Sequence, residues 1–308
     1  MSLRCAARSM LGVLGNTSVV AWGHERAGRR KAPGGVLSSF ERDRFSHGDL
    51  SFDVFRKGGG PCVLVLTEMP GISPMVLGFA DRVVALGCSV VLPDLFGQAG
   101  RDPLAGNRLA AGLFNLRVIA STCIRREFTV LAAGRSSPVI DWLRALAAVE
   151  HERCGGPGVG VVGMCFTGGF ALAMAVDPRV LAPVLSQPSL PFGVGKRRRS
   201  IDCSEEDLSC VARRCSDEGL RVLGLRFDGD PLVPAERFAF LRERLGDGFV
   251  SVELPQSCGH PEDPLPRHHS VLTTALIDEP GEPTRDALER VLALFRGKLL
   301  PGVSGQKT

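Results

Sequence analysis

The chain has 308 residues, 44% of them apolar, a formal charge of +4, no tyrosine and ten cysteines. The length suits one large α/β domain or two small ones. So small a net charge argues against a nucleic-acid partner, the missing tyrosines remove that side chain as an acid or substrate clamp, and no apolar run approaches the length of a membrane span.

Residues 1–31 carry six basic side chains and one acidic one, Glu25. Such a stretch is similar to a weak targeting peptide, but its apolar segment is broken by Gly15, Asn16 and Thr17. We therefore expect residues 1–45 to form a poorly ordered extension and residues 46–300 a single domain. Within that domain, 51–56 alternate like an edge strand, and Lys57-Gly-Gly-Gly60 turns the chain. Residues 62–66, Cys-Val-Leu-Val-Leu, read as a buried strand that ends in Thr67-Glu68-Met69-Pro70-Gly71. An amphipathic helix is expected over 74–86, stopped by Gly87. A strand at 89–92 follows, leading into Pro93-Asp94-Leu95-Phe96-Gly97.

Residues 102–137 are less regular and predict one or two helices over the top of the sheet. A helix over 139–153 then feeds a strand at 158–162, with a buried helix at 170–176 and a further strand at 180–185. Residues 193–203 read as an exposed polar connection, and the run Lys196-Arg-Arg-Arg199 as a solvated loop rather than a binding patch. Ser204 followed by Glu-Glu-Asp marks a helix start. Strands at 221–227 and 249–254 bracket a helix at 234–245, and a closing helix spans 284–295. This alternation predicts an α/β fold with a mostly parallel sheet and helices on both faces.

The turn between the 158–162 strand and the helix after it concentrates the chemistry. Cys165 sits there, with Gly163 before it and Gly168 and Gly169 after it. A strand that turns sharply into a helix strains the turn residue and needs small neighbours; the nucleophile elbow has this form. A thiol at a helix N-terminus is favoured as thiolate. The bland alternatives are a buried structural cysteine or a phosphate-binding turn. None of the ten cysteines forms a C-x-x-C pair, so neither zinc nor a dithiol motif is signalled. We expect no metal or cofactor, and a reducing, cytoplasmic setting without disulfides.

In open α/β sheets, working groups lie at the carboxyl ends of strands. Glu68, Cys165, Asp228 and Asp230, and then His260, His268 and His269 all follow strands, in the order nucleophile, acid, histidine. Four segments resemble the dienelactone hydrolase family of cysteine-dependent α/β-hydrolases: Thr67-Glu-Met-Pro-Gly-Ile72, Leu92-Pro-Asp-Leu-Phe96, Gly163-Met-Cys-Phe-Thr-Gly-Gly169 and Asp228-Gly-Asp-Pro-Leu-Val-Pro234. The similarity spans about residues 50–298.

The resemblance implies an α/β-hydrolase fold and a Cys-Asp-His triad. Cys165 would be the nucleophile and Asp230 the acid that orients the histidine, with Asp228 structural. Glu68 would lie near the resting thiol and govern thiolate formation. The backbone N–H groups of Met69 and Phe166 would form the oxyanion hole. His269-Ser270-Val271 fits the family's His-Ser-apolar pattern, so His269 is taken as the base. His260, preceded by Gly259 and six residues past the last strand, is the alternative. The expected partner is a small-molecule ester or lactone, for a monomer or homodimer.

Two departures stand out. Thr167 occupies the second place after the nucleophile, where the family has glycine; this supports a non-catalytic binding protein as a competing reading. A thioesterase on the same machinery is another. The family's two substrate-carboxylate arginines correspond here to Gln98 and to Thr273 (Pro264 when counted from His260), so neutral substrates are expected. Arg101 is the nearby cation that could substitute.

Overall fold

The computed structural model describes residues 30–31, 37–97, 99–101, 137–190, 195–300 and 302. The helices expected over 102–137 therefore lie, apart from Ser137, outside the described residues. The described strands form one nine-stranded sheet. They are β1 (Arg30–Lys31), β2 (Glu41–His47), β3 (Leu50–Lys57), β4 (Cys62–Leu66), β5 (Ser89–Pro93), β6 (Val159–Met164), β7 (Val180–Ser186), β8 (Val222–Phe227) and β9 (Phe249–Leu254). Their order across the sheet is β1-β2-β3-β5-β4-β6-β7-β8-β9. Strands β4 to β9 run parallel, and β1, β2 and β3 add antiparallel at one side.

The helices are α1 (Pro74–Ala85), α2 (Val139–Cys154), α3 (Gly168–Met174), α4 (Glu205–Asp217), α5 (Ala235–Leu245) and α6 (Pro283–Leu299). Alternation along β4 shows how they are shared between faces. Cys62, Leu64 and Leu66 enter the core beneath α2 to α5, while Val63 and Val65 enter the core beneath α1 and α6. A strand covered on both faces must be apolar at every position, and β4 is fully buried throughout. Ser73 starts α1, its hydroxyl accepting from the Val76 N–H at 3.3 Å, with Pro74 in the first turn. Ser204 does the same for α4, accepting from Asp207 N–H at 3.0 Å.

Several expectations need correction, the third of them the exposure of 193–203 and the last the absence of disulfides. Residues 51–56 are not an edge, because β2 pairs along the whole of β3. Strand β2 begins inside the stretch assigned to the extension, at Glu41. Its pattern is mostly exposed, but Phe45 rests edge-on against Trp142 of α2 at 5.2 Å, and Phe52 of β3 meets the same indole at 5.0 Å. The 193–203 connection is not wholly exposed. Gly195–Arg199 is a short 3-10 helix whose Arg198 and Arg199 pair with Glu236 and Glu243 on α5, and Ile201, Asp202 and Cys203 are buried. Last, Cys210 is disulfide-bonded, so the chain is not free of disulfides; seven other described cysteines are free.

No helix among the described residues is long and apolar enough to cross a membrane.

Candidate active site

Strand order reverses beside β4: the chain steps outward from β4 to β5, then crosses back to β6 on the other side. The carboxyl ends of β4 and β6 border that switch point, where open α/β sheets hold their ligands. Leu66 pairs with Gly163, so the loop Thr67-Glu68-Met69 leaves the sheet beside Met164-Cys165-Phe166.

Cys165 has φ of 57°, in the left-handed region that a residue with a side chain occupies only under constraint. The constraint is steric. A Cβ on Gly163 would stand 2.2 Å from the Thr167 carbonyl oxygen, and one on Gly168 would stand 2.6 Å from Pro188 Cβ. Only glycine lets strand, turn and helix approach so closely.

Thr167 is part of this construction. Its fully buried hydroxyl accepts from the Met164 N–H at 2.9 Å and donates to the Leu66 carbonyl at 2.8 Å. It therefore ties the elbow to the end of β4.

Asp230 and His269 are brought together. Both are buried, and His269 Nδ1 lies 2.7 Å from Asp230 Oδ2, while Asp230 Oδ1 accepts from the Leu232 N–H at 2.9 Å. The charge of the Cys165 sulfur acts on the imidazole. His269 Nε2 is buried with no hydrogen-bond partner, and Cys165 Sγ is 3.1 Å from Ser189 Oγ. Burial alone would lower the pKa of His269. The charge on Cys165 and the bond to Asp230 outweigh it and hold the imidazole well above the usual histidine value.

His260 is placed elsewhere. Its Nδ1 accepts from the Glu262 N–H at 3.2 Å, in a turn. His268 Nδ1 meets Asp263 at 2.9 Å, and its ring tilts against Phe227. Asp228 accepts from the Gln256 N–H at 2.9 Å and orders the loop after β9.

Glu68 is buried at the end of β4, but its hydrogen bonds do not go to the thiol. They come from Ser270 Oγ at 2.6 Å, Gln187 Nε2 at 3.1 Å and Thr273 Oγ1. Three donors hold the carboxyl group toward the segment carrying His269. Gln187, Ser189, Ser270 and Thr273 are thus site residues that the sequence reading did not single out for these roles. The signal was there for two of them, since Gln187 and Ser189 directly follow the carboxyl end of β7. Arg237 is also buried. It donates to the carbonyls of Pro188 (2.9 Å), Ser200 (2.7 Å), Leu232 (2.8 Å) and Arg197 (3.1 Å), joining the loops after β7 and β8. Burial lowers its pKa to about 10, against the charges of Asp230 and Cys165, which raise it.

Gln98 lies outside the described residues. Arg101 is exposed on the loop after β5, whose Gly100 N–H is bound to the Ile72 carbonyl at 2.8 Å. Among the described residues no group of three or more His, Cys, Asp or Glu could hold a metal ion.

A nucleophile elbow on a mostly parallel sheet, with an acid and a histidine after later strands, defines an α/β-hydrolase fold. The dienelactone hydrolase family model matches residues 54–191 of this chain. Similar solved structures include a putative dienelactone hydrolase from Klebsiella pneumoniae, 17% identical, with TM-score 0.54 over 83% of this chain and 98% of that one. A dienelactone hydrolase from Anabaena variabilis is 16% identical, with TM-score 0.50 over 85% and 99%. A dienelactone hydrolase-like promiscuous phosphotriesterase from metagenomic libraries is 16% identical, with TM-score 0.54 over 84% and 98%. At these identities the likeness is one of fold. No curated protein matches the chain by sequence.

Proposed function

We propose that the protein hydrolyses small neutral esters or lactones through Cys165, His269 and Asp230. The observation that carries this reading is a cysteine held at φ 57° at a helix start, beside an imidazole that Asp230 engages at 2.7 Å. Asp230 and the neighbouring sulfur raise the imidazole pKa, which suits His269 to hold the proton that the sulfur gives up on attack. The thiolate attacks the carbonyl carbon. The N–H groups of Met69 and Phe166 receive the developing oxyanion, and His269 protonates the departing alkoxide. The now neutral imidazole takes a proton from water, which attacks the thioester, releases the acid and restores the thiolate. Asp230 fixes the tautomer and orientation of the ring throughout. Ser189 steadies the sulfur between turnovers, and Glu68 positions His269 through Ser270.

Preference for neutral substrates follows from what surrounds the site. At the place of one family arginine, Thr273 spends its hydroxyl on Glu68 and supplies no positive charge. A substrate carboxylate would lose water there without gaining a cation. The test compares kcat/KM for a carboxylate-bearing lactone with that for its methyl ester. The ester should be the better substrate, and Arg101→Ala should leave the ratio unchanged. A preference for the free acid, abolished in Arg101→Ala, would overturn the neutral-substrate reading and make Arg101 the clamp.

A further inference from the structure

A second group of reactive side chains lies at the amino-terminal ends of the central strands. Cys62 is the first residue of β4, Ser89 is the first of β5, and the two are paired across the strands. Cys154 is the last residue of α2 and sits over them. The site just described follows the other end of β4, about 16 Å away at the usual rise per residue. A cleft of about 210 Å³ opens beside Cys154, lined among others by Arg56, Lys57, Ser89, Glu150 and Arg153.

Cys62 is fully buried, whereas Cys154 is partly exposed and lines the cleft. The two thiols are both free, and Cys154 packs against the core cluster that contains Cys62. Glu150 is one helical turn before Cys154. Its Oε1 is held by Arg56 Nε at 2.7 Å, while its Oε2 is buried with no hydrogen-bond partner. The charge of Glu150 acts on both thiols.

We propose that Cys62 and Cys154 form a redox-active dithiol, with Cys154 the attacking thiol and Cys62 the resolving one, open through this cleft to a low-molecular-weight disulfide such as glutathione disulfide. The Cys154 thiolate attacks one sulfur of the disulfide. A bond forms between Cys154 and that glutathionyl sulfur, and the other glutathione leaves as thiolate. The Cys62 sulfur then attacks Cys154, giving its proton to the unpartnered oxygen of Glu150, and the second glutathione leaves. Two protein thiols are oxidised to one disulfide, and one glutathione disulfide is reduced to two thiols.

The electrostatics agree with this division of labour. The Cys62 thiol lowers the pKa of Cys154 to about 6, helped by Ser89 and the charge of Arg153, against burial and the charge of Glu150. Burial raises that of Cys62 well above the usual thiol value. A thiolate at the opening and a protonated thiol behind it is the arrangement that attack followed by resolution requires.

The test is peptide mapping by mass spectrometry of the reduced full chain after exposure to glutathione disulfide at neutral pH. We expect a Cys62–Cys154 crosslink, with the loss of two hydrogens. In Cys62→Ala, the reaction should halt at one glutathione adduct on Cys154. In Cys154→Ala, Cys62 should stay unmodified. Failure of the wild-type chain to form the crosslink would overturn the proposal, and that measurement needs no variant to fold. A glutathione adduct on Cys62 in Cys154→Ala would also overturn it, by removing the order of attack.

Discussion

Replacing His269 and His260 separately discriminates between the two candidate bases after β9. In the structure, His269 alone of the pair meets an acid from the strand-end set, at 2.7 Å from Asp230, while His260 accepts one backbone hydrogen bond in a turn. Loss of a general base typically costs about 10²–10⁴-fold in rate, which is about 2.7–5.4 kcal/mol of barrier at 1.36 kcal/mol per decade. His269→Ala should therefore lower kcat for p-nitrophenyl acetate by at least about a hundredfold, and His260→Ala by less than about threefold. His269→Ala also leaves Asp230 buried with only the Leu232 N–H, so some stability will be lost. His269→Gln keeps a donor for Asp230 and separates the two effects: its melting temperature should stay near wild type while its turnover stays low. A loss of turnover in His260→Ala that matches or exceeds that of His269→Ala would refute this assignment of the base.

Two further outcomes follow from buried groups. Thr167→Val keeps the shape but strands Met164 N–H and the Leu66 carbonyl, each bonded now to one hydroxyl. At roughly 1–3 kcal/mol for each stranded group, urea denaturation should show a loss of about 2–6 kcal/mol; a loss under about 1 kcal/mol would mean the elbow is not tied this way. Asp202 is buried, with one oxygen unpartnered, and burial raises its pKa to about 7 although Ser137 donates to it. A carboxyl whose folded pKa exceeds its unfolded one holds its stability at low pH and loses it as pH rises from about 4 through 7. Asp202→Asn should flatten that decline and exceed wild-type stability above pH 7; an unchanged pH profile would contradict it.

Much of the parallel sheet was legible because its strands are apolar runs, as in β4, or alternate apolar with polar, as in β9. The bounds of Cys62–Leu66 and Phe249–Leu254 read directly from the pattern. Strand β2 was not legible, because Glu-Arg-Asp-Arg-Phe-Ser-His has no apolar alternation. Its place depends on Arg42 and Arg44 meeting Asp53 across the hairpin and on Phe45 reaching Trp142. Ile201–Cys203 looked exposed because the basic run before it is polar, yet Asp202 packs against Gly169, where a Cβ would stand 2.8 Å from its own. Cys165 was legible from its glycines. The choice between His260 and His269 depends on how residues 255–268 fold back, which no local spacing encodes. The partners of Glu68 were equally hidden, since Ser270 and Thr273 lie some two hundred residues further along the chain.

The central claim is a covalent step at Cys165. Intact-mass and peptide measurements on the protein quenched during turnover of p-nitrophenyl acetate address it directly. The account predicts one acetyl group on Cys165 that disappears as substrate is exhausted, and neither acetylation at that position nor turnover in Cys165→Ala. Hydrolysis at wild-type rate in Cys165→Ala, or a turning-over acyl group on any other residue, would contradict it.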